Sequence, residues 1–255
     1  MARAQRIDAA LEAAGLARSE DEARVLIADD RVTVNGAPVL NPARQVTERD
    51  QLAVVPVERF VSRGGLKLDA ALEYFAKSSA EVPVLGSRVL DAGASTGGFV
   101  DCLLQRGAAS VAACDVGHGL LHPRIASDAR VEVRDGVNVR EFGSLISEGR
   151  LTGGYDLVVA DLSFISLRVV MRSLVSAARP DGELLLLVKP QFEATKAEVD
   201  RGGGVIRDGD VRRRCIDEVS ASVRQEGAEV VGEVESAVAG PAGNREHWLR
   251  VRRRT

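Results

Sequence analysis

The chain has 255 residues, of which 45% are apolar and 28% charged, with a formal net charge of -3. This length suits one large domain, or a catalytic domain with a small module attached. No apolar run nears the roughly 18 residues needed to cross a bilayer, and the net negative charge argues against strong sequence-independent binding of nucleic acid.

The start, Met1 to Asp8, lacks the apolar core of a secretory signal and meets an acidic residue at once, so we expect a soluble cytoplasmic protein with no membrane partner. Ile7, Leu11 and Ala14 repeat at helical spacing, and Gly15 closes that helix as a left-handed cap. Ser19 caps a second helix, Glu22 completes a capping box, and Ala23, Leu26 and Ile27 form the apolar face. Val32-Thr-Val34 alternates as a strand, Asn35-Gly36 signals a hairpin, Val39 and Leu40 begin the return, and Leu52 to Val55 supplies a last strand.

Residues 1–57 therefore read as a small α+β unit. The unit resembles the S4 domain, a helix-helix-sheet RNA-binding module, through Arg6-Ile-Asp8, Leu11, Gly15-Leu16, Ser19, Ala23-Arg24, Leu26-Ile27 and Arg31-Val-Thr-Val-Asn35-Gly36. The departure is Asp29-Asp30, where the S4 pattern usually carries a glycine before the strand. The resemblance implies that the helix pair lies on structured RNA, with Arg6, Arg18, Arg24 and Arg31 as RNA-binding residues. Seven Arg and no Lys against nine acidic residues give this unit a net charge of -2, so part of the RNA affinity is expected from the second domain. Arg59 and Arg63 are added to the RNA-binding set, and the closing run Arg250, Arg252, Arg253, Arg254 reads either as a further contact or as a strand end.

Pro56 interrupts the last strand, and residues 58–63 read as a linker to a domain spanning 64–255. Strands are predicted at 88–92, 110–115, 131–134, 157–161, 183–189, 228–235 and 247–252, and helices at 67–76, 98–106, 167–178 and 211–226. This alternation predicts an α/β fold with a doubly wound, seven-stranded Rossmann-like sheet, and seven strands with the last pair close in sequence fit a methyltransferase sheet whose final strand runs antiparallel.

Asp91, Gly93, Ser95, Thr96, Gly97, Gly98 and Phe99 form a glycine-rich turn between a buried strand and a helix, where doubly wound folds bind ligands. The spacing is not the Gly-x-Gly-x-x-Gly of a dinucleotide site, and Asp91 is an awkward neighbour for pyrophosphate but suits the aminoacyl part of S-adenosylmethionine. Asp115 ends the next strand, where a carboxylate can accept from ribose hydroxyls, and Asp135, after the third, could reach the adenine amine. Cys114, His118 and His122 share a spacing of four, but three residues make a poor zinc set, so no metal is expected. Cys102, Cys114 and Cys215 form no Cys-x-x-Cys pair and read as packing residues.

Asp161-Leu-Ser-Phe164 follows the fourth strand without the paired prolines that grip a planar amide or base, which turns attention to another acceptor. Lys189 ends an apolar strand at the cleft, and Lys67 and Glu246 complete a cluster of two lysines and two carboxylates. Like-charge repulsion there could lower one lysine's proton affinity and make it a general base for a ribose hydroxyl.

The catalytic part resembles the FtsJ-type 2'-O-methyltransferases, and the whole chain resembles the TlyA family, an S4 domain fused to an FtsJ-type domain. The shared segments are Ser62-Arg-Gly64 with Lys67-Leu68, Asp91 to Phe99, Ala160 to Ser166, Val188 to Glu193, Gly202-Gly-Gly-Val205 and Gly240-Pro-Ala-Gly-Asn244 with Glu246. The resemblance implies a catalytic tetrad of Lys67, Asp161, Lys189 and Glu246. It also implies S-adenosylmethionine as cofactor and the ribose of cytidine in ribosomal RNA as acceptor, in the large subunit and in some members the small one too. Ribosomal RNA or ribosomal subunits are then the partners. The family also carries the name haemolysin, so a membrane-active protein is one alternative and a non-catalytic ribosome-assembly factor another.

Overall fold

The computed structural model describes residues 4–55, 59–78, 81–240 and 242–254. Pro56 and the Pro241 of the Gly240 segment lie outside the described residues.

In the N-terminal unit, β1 (Gln5–Arg6) leads into α1 (Ile7–Ala13), which ends as Gly15 adopts φ +67°, a conformation that costs glycine little. The Ser19 hydroxyl caps α2 (Glu20–Ala28) by accepting from the Glu22 N–H at 3.1 Å. The reciprocal half of the expected capping box falls one residue early. The Glu22 carboxylate accepts from the Arg18 N–H and guanidinium, which draw it away from Ser19.

Asn35 and Gly36, at φ +53° and +80°, turn β2 (Val32–Val34) into β3 (Ala37–Pro38). The return strand thus comes earlier than expected, Val39 dropping into the core while Leu40 stays exposed. β4 (Gln45–Val46) pairs with β1, a two-residue match the sequence reading missed, and β5 (Leu52–Val54) joins β2. Ile7, Leu11, Ala23, Ile27, Val32 and Val46 close a core belonging to this unit alone.

Phe60, Val61 and Ser62 are buried, so the expected linker is packed rather than free. Gly65 lies so close to Phe60 that an added Cβ would sit 2.4 Å from its ring. From there the chain runs α3 (Arg63–Ser78), β6 (Arg88–Ala92), α4 (Gly98–Gln105), β7 (Ser110–Asp115), α5 (Pro123–Ala126) and β8 (Val131–Asp135). It continues through a 3-10 turn at Val139–Glu141, α6 (Phe142–Ser147), β9 (Tyr155–Ala160), α7 (Leu167–Ala177) and β10 (Ala178–Val188). The last elements are α8 (Pro190–Glu193), α9 (Lys196–Arg201), α10 (Gly209–Gln225), β11 (Ala228–Glu235) and β12 (His247–Arg253).

The strands form one seven-stranded sheet in the order β11-β12-β10-β9-β6-β7-β8, and β12 runs antiparallel to both neighbours, as the sequence reading expected. One face is covered by α6, α7 and α10, and the other by α3 and α4 with Trp248 buried beneath them. The chain leaves β6 for β7 and β8 on one side, then returns to β9 on the other. Doubly wound sheets bind ligands at such a reversal, which here falls at the carboxyl ends of β6 and β9.

Candidate active site

Register brings the four tetrad residues together. β9 and β10 are parallel neighbours with Ala160 opposite Leu186, so Asp161 and Lys189, each just past a strand end, meet at one edge. β12 pairs antiparallel with β10, His247 opposite Val188, so its start and the preceding Glu246 lie at the same edge. Lys67 reaches in from the first turns of α3.

Lys189 Nζ lies 2.5 Å from Asp161 Oδ1 and donates to Ser163 Oγ at 3.1 Å. Lys67 Nζ donates to Glu246 Oε2 at 2.7 Å, both side chains being buried. A Cβ at Gly240 would lie 2.6 Å from Glu246 Oε1, so a side chain there would displace that carboxylate.

Burial pushes Glu246 above the usual carboxylate range. It also works to raise Asp161, but Lys189 and Lys67 outweigh it and hold that carboxyl below its usual range. For Lys67, burial favours the neutral amine, yet Asp161 and Glu246 prevail and its proton is held more tightly than usual. The expected lowering by like-charge repulsion therefore does not apply to Lys67, because its nearest charge is the carboxylate 2.7 Å away.

The glycine-rich turn adjoins this cluster. Gly93, at φ +87°, would place a Cβ 2.8 Å from the Asp161 carbonyl oxygen, so the turn and the Asp161 segment pack backbone to backbone. Asp91 is fully buried, and both its carboxylate oxygens lack partners apart from weak help from the Val100 N–H. Burial raises it well above the usual range, with Asp161 and Asp115 adding to the effect.

Asp115 accepts from the N–H groups of Ser95 and Gly117 at 2.9 and 2.8 Å, and Asp135 from that of Gly119 at 2.7 Å. Thr96 is buried beneath the turn, and Gly97 takes φ +92° to cap α4. Gly98 packs on Ser62, while the Phe99 ring is buried with its centroid 5.6 Å from that of Trp248. The Phe99 side chain thus serves the core beneath the turn.

Residues 60–253 match the FtsJ-like methyltransferase family model, and residues 5–52 match the S4 domain. The chain belongs to the TlyA family. It is 45% identical, over all of its length and 92% of the relative's, to the 16S/23S rRNA (cytidine-2'-O)-methyltransferase TlyA of Mycobacterium tuberculosis. It is 32% identical to Hemolysin A of Brachyspira hyodysenteriae, over 95% of this chain and 97% of that one. A solved structure of a Streptococcus thermophilus protein superposes with a TM-score of 0.71 at 30% identity, covering 100% of this chain and 90% of that one. Among the described residues of this TlyA-family chain, no helix is long and apolar enough to cross a membrane.

The arginines that the S4 resemblance assigned to RNA all have partners within the chain. Arg6 and Arg24 bracket Asp8, Arg18 holds Glu22 and the Leu120 carbonyl, and Arg31 donates to the carbonyls of Val55 and Val61. Arg59 pairs with Asp69, and Arg63 with Asp30. In the closing run, Arg250 and Arg252 flank Glu183 and Arg254 meets Glu229, with Arg250 itself buried in the sheet.

The three candidate metal ligands serve elsewhere. Cys114 lies in the core, His118 packs on Gly136, and the His122 ring accepts from the Arg124 N–H to cap α5. Among the described residues, no group of three or more His, Cys, Asp or Glu is placed to hold a metal. All three cysteines are buried, and burial pushes Cys102 and Cys114 up to about 12.

Sequence reasoning missed several contributors. Glu193 accepts from Ser166 Oγ and the Leu167 N–H, tying the Lys189 segment to the Asp161 segment; both were legible only as unexplained parts of shared motifs. Buried Asn244 bridges the Ile206 N–H and the Gly204 carbonyl at 2.9 Å each, anchoring the glycine loop beside Glu246. Phe164 is 92% exposed at φ +64°, with its ring 5.3 Å from that of Phe192. Asp29, noted only as a departure from the S4 pattern, accepts from the Thr96 hydroxyl at 3.4 Å.

Proposed function

We propose that this chain transfers a methyl group from S-adenosylmethionine to the ribose 2'-hydroxyl of a cytidine in ribosomal RNA, with Lys67, Asp161, Lys189 and Glu246 as its catalytic residues. The observation that carries the reading is the convergence of the Lys67–Glu246 and Lys189–Asp161 pairs beside the glycine turn, at the carboxyl ends of the central strands. The cytidine acceptor rests on the printed activity of the Mycobacterium tuberculosis relative.

The cofactor fits the donors present. Asp91, a buried carboxylate with orphaned oxygens, answers to the cofactor's α-ammonium group. Gly93, Ser95, Thr96, Gly97 and Gly98 line its approach, and Asp115 and Asp135 stand at the ends of β7 and β8 for ribose and adenine. The cofactor supplies an electrophilic methyl on a sulfonium sulfur.

The protein's own part is to ready the oxygen. Lys189, held by Asp161 and Ser163, serves as the general base that takes the ribose proton. Lys67, kept charged by Glu246 and Asp161, offsets the negative charge that develops on the 2'-oxygen. The exposed face of Phe164 offers the target base a stacking surface beside these groups. The S4 domain supplies a second hold on the RNA, for which some of its arginines exchange intramolecular partners for phosphate.

Labelled methyl transfer to purified ribosomal subunits and assembled ribosomes, with the modified nucleotide mapped, tests the reading. Label on a cytidine 2'-oxygen is the expected result. No label on RNA despite cofactor binding would favour the non-catalytic assembly role.

A further inference from the structure

The N-terminal unit meets the methyltransferase unit through several side chains. The Arg18 guanidinium donates to the Leu120 carbonyl at 2.6 Å, Arg31 donates to the Val61 carbonyl at 2.8 Å, and Asp30 pairs with Arg63. Asp29 caps the end of α2, and the chain then turns through Asp30 at φ +55°. Two consecutive carboxylates thereby engage the facing unit: Asp30 on Arg63, and Asp29 on the Thr96 hydroxyl of the cofactor turn.

Asp29 also lies within the field of Lys67, Asp161 and Lys189. On the S4 side it is faced by Arg31, itself opposed by Glu22. The junction desolvates the Asp29 carboxyl and pushes it up to about 6, the lysines only partly offsetting that effect.

We propose that Asp29 is a positioning residue of the methyl-transfer site, supplied by the S4 domain, which holds the Thr96 hydroxyl and sets negative charge beside Lys67. The inference rests on the methyl-transfer reading above. Two lysines facing Asp161 and Glu246 are balanced in charge, and an ionised Asp29 tips the cluster negative. That favours the ammonium form of Lys67, whose proton is already held tightly, whereas a neutral group restores the balance. Because Asp29 belongs to the RNA-binding unit, any shift of that unit on RNA changes the charge felt at the site.

The test compares full-length wild type, Asp29→Asn and Asp29→Glu on ribosomal substrate, reading kcat against pH at saturating S-adenosylmethionine. The alkaline limb of Asp29→Asn, where Lys67 gives up its proton, is expected to move to lower pH, and Asp29→Glu to restore the wild-type profile. Superimposable profiles, or a loss of kcat equal at every pH, would overturn the proposal. Cofactor affinity by calorimetry tests the Thr96 contact without turnover: a few-fold weakening in Asp29→Asn supports it, and an unchanged affinity counts against it. Failure of the wild type to methylate would sink the earlier reading instead, leaving the calorimetric comparison to judge Asp29.

Discussion

Lys67 Nζ and Glu246 Oε2 lie 2.7 Å apart although 179 positions separate them in the chain, and the contact is buried between α3 and the start of β12. Cutting either partner leaves a desolvated charge without its counter-ion. Glu246→Ala should destabilise the protein by about 3 kcal/mol, whereas Lys67→Met with Glu246→Leu should cost much less. Denaturant midpoints of the single and double variants check this, and additive losses would refute a buried pair.

Lys189 touches Asp161, Ser163 and the face of the Phe192 ring. Lys189→Ala should therefore abolish turnover while cofactor affinity stays near that of wild type. Turnover assays beside calorimetry separate the two, and a parallel loss of cofactor binding would remove Lys189 from its role as base.

Asp91 is raised because burial penalises its charge. A carboxyl whose folded value lies above its unfolded value costs stability once pH exceeds the unfolded value, about 3.9. Asp91→Asn should accordingly raise the melting temperature of the cofactor-free protein at pH 7 while weakening S-adenosylmethionine binding at least tenfold, about 1.4 kcal/mol. Thermal scans with and without cofactor read both effects. A variant that melts lower and binds normally would contradict the assignment.

Asp8 shows the opposite sign. Its hydrogen bond from Arg6, stronger than the burial that opposes it, holds the carboxyl at about 2. Its stabilising contribution is fully present above the unfolded value and is lost as pH falls through the folded one. Asp8→Asn should cost about 1 kcal/mol at pH 7, discounted because Arg6 and Arg24 are half exposed, and almost nothing near pH 2. Urea titrations of both proteins at several pH values would show a constant difference if Asp8 were merely a packing residue.

The sequence by itself determined the local structure. Asn35-Gly36 and Gly15 need φ values that few other residues adopt, so their turns were readable from composition alone. The alternating apolar runs announced the sheet, because periodicity records which face of each element is buried. Shared motifs named Lys67, Asp161, Lys189 and Glu246 together.

Only the tertiary structure decided which charge meets which. β1 and β4 are two residues each, too short to carry a periodic signal, and nothing local told that the arginines assigned to RNA would find carboxylates and carbonyls of their own. Nor did the sequence show that Phe99 turns into the core against Trp248, or that Asp29 reaches Thr96 across the domain junction. Hydrophobic period and turn chemistry act between neighbours in the chain, whereas a salt bridge over 179 residues depends on strand order and register, which exist only once the sheet has closed.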